Sequence, residues 1–209
     1  MSALKRWFVQ TYQLNMQEAE KPLEDYESLN ALFTRRLRPG VRPIQSDLVH
    51  PVDAAITQSG PIHKSQLVQA KGLRYSLEDL LQVSKAEIAT FEGGHFVTYY
   101  LCPTDYHGIH APFKGRIIAS HWIPGTLWPV NPWSVQNVPK LFAINERVIV
   151  WMQQQETTVA MVLVGATNVG QISLTYDPSI RTNSVWQNEP DRKTHDPPIS
   201  MSCGEELGI

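Results

Sequence analysis

From Pro43 onward this chain is a succession of short runs rich in β-branched and aromatic residues, each ended by prolines or glycines. The runs are Ala54–Gly60, His95–Leu101, Gly115–Ser120, Arg147–Trp151, Thr158–Val164 and Gln171–Tyr176. Side chains of this kind suit a pleated, half-buried surface, and the breakers between them leave little room for long helices. The residues before Pro43 read differently. Leu4, Trp7, Phe8 and Tyr12 recur at helical spacing beside Lys5 and Arg6, so residues 3–38 read as helical. A second helix is expected from Tyr26 to Leu37, with Leu29, Leu32, Phe33 and Leu37 on one face and Pro39-Gly40 ending it. An amphipathic helix carrying Trp, Phe, Lys and Arg can lie in a membrane interface or dock on a core. A brief helix is expected at Ser76–Leu81, with Ser76 as its N-cap and Asp79 at the third helical position. Asn137–Phe142 reads as a turn followed by an apolar anchor. Residues 177–200 read as a polar, proline-rich connection. The expected class is α+β: a β-rich core of short, mostly antiparallel strands over residues 43–209, and an N-terminal helical, membrane-associating arm over residues 1–42.

Composition narrows the partners. With 209 residues, 42% apolar and 18% charged, the chain is one large globular domain or a domain with an appendage. A formal net charge of −2 argues against nucleic acid as the main partner. A local basic cluster, Arg35-Arg36-Leu37-Arg38 with Arg42, remains available to an anionic surface. Cys102 and Cys203 match neither zinc spacing nor a redox pair and read as thiols in a reducing compartment. No apolar run reaches the ~18 residues a membrane span needs, and no secretory leader is visible, so a cytoplasmic setting is expected.

The chemistry concentrates in Tyr99-Tyr100-Leu101-Cys102-Pro103-Thr104-Asp105-Tyr106-His107-Gly108-Ile109-His110-Ala111-Pro112. Two histidines three residues apart, between prolines and after a strand-like run, suit proton transfer near neutral pH. Asp53, just before the first expected strand, can orient a histidine and stabilise its charged form; by itself it also fits a turn or cap aspartate. The two histidines could instead ligate a metal, but no third ligand accompanies them and no metal is expected. The segment Leu127–Pro139, with Gln136, Asn137 and two tryptophans, suits either a polar headgroup beside an acyl chain or a loop whose amides bond the backbone. Arg147 and Glu205-Glu206 are further candidates. Gly165 and Gly170 point to close packing or a bulge and not to a phosphate loop.

Several ordered segments resemble the phosphatidylserine decarboxylase proenzyme family. They are Tyr26-Glu27-Ser28-Leu29-Asn30-Ala31-Leu32-Phe33, Arg36-Leu37-Arg38-Pro39, Arg42-Pro43-Ile44, Pro51-Val52-Asp53-Ala54, Gln69-Ala70-Lys71-Gly72 with Tyr75-Ser76-Leu77, the double-histidine stretch, Gln136-Asn137-Val138-Pro139 with Leu141-Phe142 and Asn145-Glu146-Arg147, Val164–Gly170, and Gly204-Glu205-Glu206-Leu207-Gly208. The resemblance implies a proenzyme that cleaves itself at a serine in a Leu-Gly-Ser motif. That serine becomes a pyruvoyl group at the head of a short α chain, and the group serves as the electron sink when phosphatidylserine loses carbon dioxide. It implies Asp53 and His110 as the relay acid and base of self-cleavage and His107 as a histidine near the substrate; Gln136 and Asn137 are expected, from their amide chemistry, to bind substrate. It also implies phosphatidylserine and an anionic membrane surface as partners, a C-terminal α chain, a homodimer, and peripheral attachment to the cytoplasmic face of the inner membrane.

Two departures accompany the resemblance. The Leu-Gly-Ser motif is absent from residues 1–209, so the pyruvoyl-forming serine is expected beyond Ile209 and this polypeptide reads as the β-chain part. The glycine usual after the relay aspartate is Ala54, and the basic residue often found between the histidines is Gly108, which is expected to loosen that connection. A catalytically inactive lipid-binding relative is the alternative reading.

Overall fold

The computed structural model describes residues 3–70, 72–183 and 189–209; Lys71 of the Gln69–Gly72 segment and positions 184–188 of the expected 177–200 connection lie outside them. The class is α+β, with small antiparallel sheets and an N-terminal helix. The chain packs into two compact units. The first comprises Met1–Ala55, Tyr99–Gly115 and Met201–Ile209; the second comprises Ile56–Thr98 and Arg116–Ser200.

The second unit is built on a four-stranded sheet. Its strands are β6 (Gly115–Ile123), β7 (Arg147–Gln154), β8 (Thr157–Val164) and β9 (Asp191–Met201), in the order β8-β7-β6-β9. Strand β7 is central, and Val148, Ile149, Val150, Trp151 and Met152 are all buried. That continuous apolar run is what a strand covered on both faces requires. Two further ladders surround it: β1 (Ala55–Pro61) with β4 (His95–Tyr100), and β2 (Gln66–Ala70) antiparallel to β3 (Leu73–Ser76). Leu67, Tyr75, Leu77, Leu80, Leu81 and Ile88 pack with Ile149 and Trp151 in one core cluster. Helix α3 (Leu77–Leu81) begins as expected: the Ser76 hydroxyl accepts the Asp79 N–H at 3.0 Å. Helix α4 (Lys85–Ala89) opens with a full capping box between Ser84 and Glu87. Helices α5 (Pro132–Asn137) and α6 (Leu141–Ile144) fill the segment read as turn and anchor, and Leu141 is fully buried.

Three expectations are corrected. The N-terminal region is not helical throughout 3–38, and no helix runs from Tyr26 to Leu37. It contains α1 (Ala3–Tyr12), a 3₁₀ turn (Leu23–Asp25) and α2 (Leu29–Phe33). Ser28 caps α2, accepting the Ala31 N–H at 3.0 Å. Beyond Thr34 the backbone is claimed elsewhere: the Arg36 carbonyl accepts from Glu20 N–H and Arg38 N–H donates to the Glu18 carbonyl, both at 2.9 Å. Those long-range bonds displace the helical ones. Gln171–Tyr176 is not a strand. Ile172 N–H donates to the Thr182 hydroxyl and Ser173 bridges Arg181, so the buried Ile172 and Leu174 plug the core from a folded loop. Finally, 191–201 is strand β9 and not connection. Pro197 and Pro198 fall on an edge strand, which is where a sheet admits proline.

The first unit holds α1, α2 and a two-stranded ladder of β5 (Ile109–His110) and β10 (Glu206–Gly208). Helix α1 docks through Phe8, which packs with Leu14, Tyr26 and Leu32, while Leu4 and Trp7 remain about half exposed at 53% and 52%.

Candidate active site

Strand β5 is laced on both sides. The His110 N–H donates to the Pro51 carbonyl at 2.8 Å, and the Ala111 N–H donates to the Glu205 carbonyl at 2.8 Å. Glu206 is the register partner of His110 on β10. Two segments far apart in sequence, Pro51–Asp53 and Gly204–Gly208, are thus brought alongside the second histidine.

Both nitrogens of His110 are occupied. Nδ1–H donates to the Gly204 carbonyl at 2.8 Å, and Nε2 lies 3.0 Å from the Tyr106 hydroxyl. A carbonyl only accepts, so the neutral ring carries its proton on Nδ1 and its lone pair on Nε2. That is the tautomer a general base requires. Gly204 presents its carbonyl from a left-handed turn, φ +77°, and a Cβ there would press on Ile44 at 2.6 Å, so glycine is required twice over.

Asp53 is placed beside this strand but is bound to another group. Arg42 donates to its carboxylate from Nε at 2.9 Å and from Nη2 at 2.6 Å, and Nη2 also reaches Glu18 at 2.9 Å. The Asp53 bond, followed by that of Glu18, raises the guanidinium above its ordinary value. His110 is therefore oriented by Gly204 and Tyr106, and Asp53 acts in this state as the counter-charge of Arg42. Ala54 is not among the residues with positive φ, so its methyl imposes no strain of that kind.

His107 occupies a drier setting. Its Nδ1–H donates to the Asp105 carbonyl at 3.0 Å, and the Phe33 ring lies 4.1 Å from it, centroid to centroid. Desolvation comes first in holding its pKa below the ordinary histidine range, with nearby Arg35 adding to the effect. His107 is thus a neutral imidazole near pH 7. The turn that carries it is pinned by Asp105, whose carboxylate accepts the Cys102 N–H at 2.7 Å.

Arg35 was legible only as part of a basic cluster, yet it is 5% exposed and braces the histidine loop, donating from Nη2 to the carbonyls of Thr104 at 2.9 Å and Asp105 at 3.3 Å. Its Nε and Nη1 are buried without a hydrogen-bond partner among the described residues. Desolvation lowers its pKa. The rest of the cluster is also engaged within the unit: Arg36 with Glu206 at 3.3 Å, and Arg38 with the Ala19 carbonyl at 3.0 Å.

The remaining candidates belong to the second unit. Gln136 and Asn137 are exposed at the end of α5, next to Trp133 at 65% exposure, and the Asn137 amide donates back to the Trp133 carbonyl at 2.8 Å. The loop that carries them is clamped by buried Gln69, which donates to the carbonyls of Val135 and Val138 and accepts the Leu141 N–H. Asn145-Glu146-Arg147 is an architectural hub. Glu146 accepts from Trp122 Nε1 and Asn183 N–H, and Arg147 binds four backbone carbonyls. Gly165 and Gly170 pack against Leu127, as close packing requires.

The fold is β-rich α+β, and one short loop carries an imidazole whose proton is held on Nδ1 and a second, desolvated imidazole. Comparison with known proteins gives that fold a family. The phosphatidylserine decarboxylase family profile matches residues 29–209. A phosphatidylserine decarboxylase proenzyme of Shewanella baltica is 42% identical over 219 residues, covering 99% of this chain and 73% of that protein. One from Pseudoalteromonas translucida is 43% identical over 215 residues, covering 99% and 74%. One from Shewanella frigidimarina is 46% identical over 175 residues, covering 82% and 61%. The chain belongs to the phosphatidylserine decarboxylase family.

Proposed function

We propose that this chain is the β-chain part of an enzyme that converts phosphatidylserine to phosphatidylethanolamine, and that His110 is the base of the self-cleavage preceding it. The observation that carries the reading is the His110 tautomer: a carbonyl holds the Nδ1 proton, which puts the lone pair on Nε2, where it can take a proton from a serine hydroxyl once the Tyr106 O–H gives way. In this scheme the serine lies on a segment following Ile209 and becomes the pyruvoyl group. When bound, that group supplies an electron sink for the pair left on Cα as the carboxylate departs. The residues present suit such a substrate. The buried, unpartnered Nε and Nη1 of Arg35 offer donors to an anionic group beside the histidine loop. His107, neutral with its proton on Nδ1, can take a proton from solvent at Nε2 and pass it to Cα after the carboxylate has left. Asp53 stabilises the charged His110 once Arg42 releases it. Gln136 and Asn137 are proposed as polar contacts for substrate on the strength of their exposure.

The proposal extends to a homodimer attached peripherally to the cytoplasmic face of the inner membrane. Among the described residues no helix is long and apolar enough to cross a membrane. The half-exposed Leu4 and Trp7 of α1 support interfacial attachment instead.

The test appends the C-terminal segment of the Shewanella baltica relative after Ile209. Self-cleavage into two bands and carbon dioxide release from serine-labelled lipid are expected. His110→Ala should leave one uncleaved band, a loss of at least about a hundredfold in cleavage rate. His107→Ala should cleave and then turn over slowly. Intact protein with no gas released from the unsubstituted fusion counts against the reading.

A further inference from the structure

Tyr106 and Gly108 form a pair that the self-cleavage scheme above does not use. The Tyr106 hydroxyl lies 3.0 Å from His110 Nε2, and the two rings are 5.6 Å apart at 40°. Because Nδ1 carries the ring proton, the hydrogen between Tyr106 and Nε2 is the tyrosine's own. The tyrosine is 7% exposed, and desolvation first, then the Glu206 charge, push its pKa up to about 12, so it remains protonated through the neutral range. The charges of Glu206, Arg36, Asp53 and Arg35 surround it.

Its place depends on residue 108. A Cβ built on Gly108 would run into Tyr106 Oη and Cζ and come within 2.7 Å of Cε1. Real Cβ atoms do not approach so closely, so any side chain at 108 expels the tyrosine ring. Glycine here does not loosen the connection between the histidines, as its flexibility alone suggests. It makes a socket that the ring of residue 106 fills, and Gly108 is itself buried.

We infer that Tyr106 is a positioning residue for His110, seated over the imidazole because residue 108 is glycine, and that the Tyr106–Gly108 pair holds the proton-accepting nitrogen in line for self-cleavage. The inference rests on the reading of His110 as the base. The proton count is simple. The Tyr106 O–H first turns away and frees the Nε2 lone pair, Nε2 then takes the proton of the attacking hydroxyl, and the Tyr106 oxygen, which keeps its own hydrogen, faces the new Nε2–H as an acceptor. No further reactant is needed.

Two measurements test this independently. In the 209-residue chain, ¹⁵N spectroscopy of the histidines reads the Nε2 of His110 directly. Tyr106→Phe and Gly108→Ala should both move that resonance downfield, toward a lone pair without a donor, with thermal unfolding confirming that each variant is folded. An unmoved resonance in folded Tyr106→Phe overturns the inference. In the fusion carrying the C-terminal segment, Tyr106→Phe should slow self-cleavage about tenfold, equivalent to one hydrogen bond in the transition state. Gly108→Ala should slow it similarly, and the double variant should be no slower than either single one, because both remove the same contact. Losses that multiply to about a hundredfold, or unchanged cleavage in Tyr106→Phe, overturn it. If the unsubstituted fusion fails to cleave, or His110→Ala cleaves normally, the reading of His110 as base has failed, and the spectroscopic result still stands for the contact itself.

Discussion

Arg147 shows how much one buried side chain can organise. It is 1% exposed, and its guanidinium donates to the carbonyls of Leu80 (2.7 Å), Asp79 (2.8 Å), Ala143 (2.7 Å) and Asn145 (2.9 Å). Those carbonyls lie in the last turn of α3 and around the end of α6, where helices leave acceptors unused and where positive charge is favoured. Desolvation lowers its pKa to about 10, which leaves it charged at neutral pH. Arg147→Met keeps much of the volume but strands these acceptors. Its expected cost is about 3–4 kcal/mol, read from urea unfolding. Arg147→Lys, with three donors for four acceptors, should recover only part of that loss. A wild-type midpoint in Arg147→Met would mean that water serves the carbonyls equally well. Residue identity alone marked Arg147 as a candidate for chemistry, and its carbonyl partners show that it is architecture.

Among the elements, α4 and β9 illustrate a pairing that no local pattern announces. Glu87 closes the capping box of α4 and also meets Arg192 of β9 at 2.6 Å, while the Arg192 guanidinium sits 5.4 Å over the Trp151 ring. The Arg192 bond first, then the Ser84 bond, hold the Glu87 carboxyl down at about 2. A carboxylate depressed on folding adds stability above its unfolded pKa, and that stability is lost as pH falls through the folded one, here between about pH 4.5 and pH 2. Both side chains are about one-third exposed, so solvent screening limits the effect to about 0.5–1 kcal/mol. Arg192→Ala should therefore lower stability near pH 6 by about that amount and flatten the acid slope between pH 4.5 and pH 2, as followed by chemical denaturation. An acid slope identical to wild type would assign the depression to the cap alone. The prolines of β9 made this strand read as a connection, because edge position is a property of the sheet and not of the segment.

For the whole molecule, the exposed apolar residues of α1 set a prediction about attachment. Leu4 and Trp7 face outward while Phe8 anchors the helix, so replacing the outer pair should leave the fold intact. Leu4→Ser with Trp7→Ser is expected to weaken binding to vesicles rich in anionic lipid by about tenfold or more, with little change in melting temperature. Binding unchanged in a co-sedimentation assay would remove α1 from the interface.

Much was readable along the chain because it depends on neighbours in sequence. Five of the six expected β runs lie in strands, and the Ser76 cap of α3 is present. Local spacing sets alternation, capping and turn chemistry, and shared motif order is enough to identify a family. The partners of His110 were not readable in that way. Its tautomer depends on a carbonyl 94 residues away, the capture of Asp53 by Arg42 depends on which of several charges the packing brings near, and the role of Gly108 appears only once the Tyr106 ring occupies the space above it. Such contacts are settled by long-range packing and burial, which choose among locally equivalent hydrogen-bond partners and leave no periodic trace in the order of residues.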